Sequence, residues 1–91
     1  MIRIENVKII EVYIPTGTIN TVHLELLGDG WKKVEQIPYS MARRILTAYK
    51  VRDVFALRDK FCVVRYYPAR NVVDYLGPIT PEPNDRSIEQ K

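Results

Sequence analysis

VRDVFALRDKFCVVRYYPAR, residues 51–70, decides what the second half of this chain becomes. In one reading, residues 54–57 and 61–67 are two strands flanking the turn Arg58-Asp59-Lys60, with Leu57 opposite Phe61. That register pairs Phe55 with Val63 and Asp53 with Arg65, and sets Arg52 across from Tyr66. Phe61, Val63, Arg65 and Tyr67 then share a face with Phe55 and Leu57. This face has the larger hydrophobes and is expected to be core, with Tyr67 at its rim. Tyr66 is left on the other face as an exposed ring beside an arginine. In the rival reading, Val51, Val54, Phe55 and Arg58 keep helical spacing and continue a helix. Both readings make 61–67 a strand, and 71–76 adds one short strand after it.

Before this stretch the period is helical. With Ser40 as N-cap, Met41, Ala42, Ile45, Leu46, Ala48 and Tyr49 cover one arc, and Arg43, Thr47 and Lys50 lie opposite, with Arg44 on the flank. The spacing predicts one amphipathic helix over about 40–50. Arginines early in a helix oppose its macrodipole, so Arg43 and Arg44 sit at a small cost.

The first third reads as a three-stranded meander. A turn at Pro15-Thr16-Gly17-Thr18 places Ile14 opposite Ile19. A three-residue loop, Gly28-Asp29-Gly30, gives its last glycine the left-handed position. Ile9, Leu24 and Val34 then form one row across the sheet, and Lys8, Glu25 and Lys33 the adjacent row on the opposite face. Val7 and Ile9 share one face of the first strand, whereas Ile10, Val12 and Ile14 share the other. Such a phase switch predicts a bulge, or a coiled strand serving two parts of a small barrel.

The expected class is therefore α+β and β-rich, a small antiparallel sheet or barrel with one helix. The order β-β-β-α-β-β is that of the OB layout, and the alternatives are an SH3-like barrel or an open sheet packed on one helix. Residues 1–79 are expected to form a single domain. From about Thr80, the proline-rich and polar composition predicts a disordered tail over 80–91.

Composition narrows the function classes. The 91 residues contain 46% hydrophobic and 27% charged side chains, ordinary for a globular domain. Apolar runs reach only four residues, so no membrane span is expected, and the N-terminus lacks the apolar core of a signal peptide. A single cysteine, Cys62, and a single histidine, His23, give no disulfide, zinc or triad pattern. No phosphate-binding glycine loop or recognisable carboxylate pair appears. A cytoplasmic protein that is not an enzyme and carries no cofactor is the expectation.

The net charge of +3 is unevenly spread. Residues 31–70 hold ten basic against three acidic side chains, and the segments on either side are acidic. Cations interleaved with rings on a small β-rich domain suit single-stranded nucleic acid, where charges follow phosphates and rings stack on bases. The candidate contacts are Arg43, Arg44, Lys50, Arg52, Arg65, Tyr66 and Arg70. The alternative is a module or inhibitor acting by binding a partner protein, with a homodimer as one form.

Overall fold

The computed structural model describes residues 1–17 and 20–79. In chain order it contains β1 (Arg3–Tyr13), β2 (Thr21–Leu27), β3 (Lys32–Pro38), α1 (Tyr39–Tyr49), a short 3-10 helix (Val54–Leu57), β4 (Phe61–Tyr67) and β5 (Val72–Gly77). The strands form one sheet in the order β3-β2-β1-β4-β5, with every neighbouring pair antiparallel. The sheet curls into a nearly closed barrel. Its two edge strands, β3 and β5, line opposite walls of one narrow cleft of about 200 Å³. Among the described residues, no helix is long and apolar enough to cross a membrane.

β1 makes the curl possible. Residues Arg3–Lys8 pair with β4 and Lys8–Tyr13 pair with β2, and the register shifts between Ile9 and Glu11. This bulge is the predicted phase switch. It lets Val7, Ile9 and Val12 all reach the core despite their mixed parity. Just ahead of β4, Asp59 N–H donates to Ile9 O and Ile9 N–H donates to Lys60 O, both at 2.7 Å, so the turn before β4 continues the ladder.

The meander exists, but its expected rows do not. Leu24 faces Val12 and Glu35, and Ile9 faces Leu26. At the second hairpin Gly28 N–H donates to Trp31 O at 2.9 Å, and Gly30 takes the predicted left-handed conformation with φ 83°. Leu27 then pairs with Lys32, one residue beyond the expected register. A one-residue slip turns a strand over. Val34 becomes 49% exposed, while Ile37 enters the core and Trp31 packs against it. Trading Val34 for Trp31 and Ile37 buries more apolar area, at about 25 cal/mol per Å². The expected pairing of Ile14 with Ile19, and the tail over 80–91, lie outside the described residues.

α1 buries Ala42, Ile45 and Leu46 and starts one residue before the expected cap, with Pro38 at the N-cap position. Lys50 ends it in the left-handed conformation at φ 58°. Lys50 N–H donates to Thr47 O and Val51 N–H to Leu46 O, the paired bonds of a Schellman motif. Residues 54–57 are not a strand. The Asp53 side chain accepts from Phe55 N–H at 2.9 Å, and Val54 and Leu57, three apart, are the buried pair.

β4 also presents the face opposite to the expected one. Cys62, Val64 and Tyr66 point into the core, while Phe61 and Arg65 face solvent. Charge outweighs size here. With Phe61 inside, Arg65 would be inside too, and burying a guanidinium costs several kcal/mol, more than one phenylalanine returns.

Candidate nucleic-acid interface

The structure divides the seven candidate residues among three places. Tyr66 lies inside the barrel at 5% exposure. Its ring stacks on Trp31, with centroids 4.1 Å apart and planes 14° from parallel, and its hydroxyl donates to Asn71 Oδ1 at 3.1 Å. The expected pairing with Arg52 does not exist, because residue 66 lies opposite Arg3 of β1. Gly28 permits the stack, since a Cβ there would collide with the Trp31 indole. Glu5 holds it from the side. Its carboxylate accepts from Trp31 Nε1 at 3.2 Å and from Asp29 N–H at 3.0 Å, and pairs with Arg3 at 2.8 Å. Tyr66 is thus a packing residue with no face free for a base.

Arg65 and Arg70 share the outer side of β4 and the β4–β5 loop. Arg65 Nε donates to Asp74 Oδ1 at 2.6 Å, and its guanidinium lies 6.0 Å from the Tyr75 ring centre. The Arg65 hydrogen bond holds the Asp74 carboxyl below its ordinary value, and a hydrogen bond to Asp74 raises the Tyr67 phenol. Arg70 lies 5.0 Å from the Tyr67 ring centre and adds to the field on Asp74. Much of the positive charge on this side is therefore offset.

Arg43, Arg44, Lys50 and Arg52 form the third group, on α1 and the residues that follow it. Residues 39–52 contain no aspartate or glutamate. Elsewhere Arg3, Lys8, Lys32, Lys33, Arg58 and Arg65 each reach a carboxylate within 4 Å. Among the described residues, none of the four cations of the α1 segment has such a partner. Lys60 extends this group, resting 5.6 Å from the Tyr49 ring centre near the end of the helix.

A cleft of about 640 Å³ opens at the start of α1, lined by Asn20, Pro38, Tyr39, Ser40, Arg43, Arg44 and Thr47. Chain connectivity builds it. Thr21 pairs with Pro38 across β2 and β3, and Tyr39 N–H donates to Asn20 O at 2.6 Å, so the end of the β1–β2 loop is tied to the first residue of the helix. The helix has no side-chain cap and no acidic residue in its first turn. Its positive end and two arginines therefore border a wall without carboxylates. No family model, no curated protein and no solved structure matches the chain.

Sequence reading missed Asn20, Tyr39, Ser40 and Thr47 as members of the site, treating Ser40 only as a cap. The acid-free run 39–52 was the visible signal. Burial pushes the Cys62 thiol up to about 12 and keeps it far from solvent chemistry. Among the described residues, no three His, Cys, Asp or Glu side chains cluster to hold a metal ion.

Proposed function

We propose that this chain is a non-enzymatic, single-stranded nucleic-acid-binding protein that works through α1 and the cleft at its start. The partition of charge carries the reading. Six cations of the barrel, Arg3, Lys8, Lys32, Lys33, Arg58 and Arg65, are paired with carboxylates, whereas Arg43, Arg44, Lys50 and Arg52 are concentrated in a segment with none. Unneutralised cations bind a polyanion by releasing its counterions. Tyr39 takes the stacking role expected of Tyr66, since its ring lines the cleft and stays exposed. Arg65 and Arg70 become a secondary contact, weakened by Asp74. Lys50 supports the reading further, because a non-glycine residue in the left-handed region retains strain that a glycine would remove.

The finer fold reading belongs with this proposal. The element order and the strand order suit an OB layout in which β3 and β5 would be the closing pair. Members of that class bind oligonucleotides near the loop joining strands one and two, and here Asn20 of that loop lines the cleft. This is an argument by analogy of architecture. A second reading, a partner protein or a second copy on the outer face of β1 and β4, is favoured by the exposed side chains of Ile4 (68%) and Phe61.

Fluorescence anisotropy with a labelled oligonucleotide across a salt series tests the proposal. Replacing Arg43, Arg44, Lys50 and Arg52 together by Gln should flatten the salt dependence by up to roughly 2.8, at about 0.7 per phosphate contact. The same change at the ion-paired Lys32 and Lys33 should have a much smaller effect. Folded wild-type protein that shows no binding at low salt would end this reading and promote the protein-partner one.

A further inference from the structure

We infer that the cleft between Asn20 and the start of α1 receives a terminal nucleotide, recognised by its phosphate monoester. The inference rests on the nucleic-acid reading and deepens it. The cleft is open to solvent, and its volume of about 640 Å³ is room for a mononucleotide and more than a passing phosphodiester requires.

The lining fits the two ends of a mononucleotide. Arg43 and Arg44 are consecutive, and neighbours on a helix project in different directions. Both nevertheless line the same cleft, so both cations are within reach of one bound group. Neither has a carboxylate partner among the described residues. Two guanidinium forks and the Ser40 hydroxyl suit a group with three terminal oxygens. A phosphate monoester offers those three oxygens and a charge between about −1.5 and −2 near neutral pH. An internal diester offers two such oxygens and a single charge. Tyr39 supplies a ring face for the base, and its hydroxyl has no partner among the described residues. The Asn20 amide offers both a donor and an acceptor to a base edge.

The cleft's contents separate strand tracking from end recognition. Lys50 and Arg52 lie outside it, further along the chain, and are indifferent to whether a strand ends. Arg43 and Arg44 are the residues that should distinguish an end from an interior.

The test compares three forms of one labelled oligothymidylate: 5′-phosphorylated, 3′-phosphorylated and without a terminal phosphate. Thymidine monophosphates and inorganic phosphate serve as competitors. One phosphorylated form should bind roughly tenfold tighter than the unphosphorylated strand, about the effect of one added charge-assisted hydrogen bond. Arg43→Gln with Arg44→Gln should abolish that preference while weak binding persists. Tyr39→Ala should reduce competition by the monophosphate to the level of inorganic phosphate. A free monophosphate that binds as tightly as the phosphorylated strand would support the cleft chemistry and identify the small nucleotide as its ligand. Equal binding of all three strands, with no competition by the monophosphate, would overturn the inference and leave strand tracking intact. No binding by any strand would remove both. Far-ultraviolet circular dichroism on each variant separates lost folding from lost contact.

Discussion

Arg3 and Arg43 are both accessible arginines, yet they stand in opposite settings. Arg3 reaches Glu5 at 2.8 Å and Asp29 at 3.6 Å, and donates to the Asp29 carbonyl at 3.0 Å. Around it the side chains of Glu5, Trp31 and Tyr66 interlock, so one arginine helps tie the β2–β3 turn to β1 and β4. Arg43 has Arg44 beside it and no carboxylate within reach among the described residues. A helix start without an acid or a side-chain cap gains nothing from cations. At the barrel end charge is used to fix the fold, and along α1 it is left available. Substitutions at the first region should therefore change stability, and those at the second should change binding to a polyanion.

The largest effect belongs to Tyr66. Truncation to alanine removes a buried ring, its stack with Trp31 and the bond to Asn71, and should lower stability by about 3–5 kcal/mol in chemical denaturation. Tyr66→Phe keeps the stack and loses only the hydroxyl, a cost of about 0.5–1.5 kcal/mol. Neither variant, while folded, should alter oligonucleotide affinity. A selective loss of affinity in the phenylalanine variant would break the separation between the two regions.

Lys50 gives a test with the opposite sign. It occupies a left-handed position that usually selects glycine, and it is also one of the unpaired cations. Lys50→Gly should raise stability by about 1 kcal/mol through relief of backbone strain. The same variant should flatten the salt dependence of binding by about 0.7. A gain in stability with a loss in binding would identify a residue kept for its charge against the preference of the fold.

How far these regions could be read from the sequence depended on the kind of signal. The helix, the left-handed Gly30 and the bulge after Ile9 all follow from local patterns, and each is present. Register was harder, because it depends on partners distant in sequence. Val34 resembled a core residue until Trp31 and Ile37, of the opposite parity, were seen to bury more area. On β4, ranking faces by hydrophobe size favoured Phe61, and the placement of Arg65 settled the matter the other way. The 3-10 helix at Val54–Leu57 was hidden because four residues show hardly more than one period. Tyr66 was misjudged with its strand. The acid-free run around Arg43 and Arg44 was legible, but the cleft was not, since it requires Asn20 to be carried to Tyr39 by the pairing of β2 with β3.

The smallest expected effect is at Asp74, where the two regimes meet. Its carboxyl lies on the outer side of β5, bonded to Arg65 and held below the ordinary value near 3.8. A carboxylate depressed in the folded state contributes stability above its unfolded value, and that contribution fades as pH falls through the folded value. Because the group is open to solvent, screening keeps the contribution slight. Asp74→Asn should therefore lower the thermal midpoint a little at neutral pH, and the difference should vanish only once pH falls through the folded value, below 3.8. The substitution also frees Arg65, and the Tyr67 phenol, raised chiefly by its hydrogen bond to Asp74, should titrate lower in ultraviolet difference spectra. If Arg65 was silent only because Asp74 neutralised it, oligonucleotide binding should strengthen, with a steeper salt dependence by up to about 0.7. An unchanged slope would mean that the β4–β5 face stays out of the interface even when uncovered, and that binding is confined to α1 and its cleft.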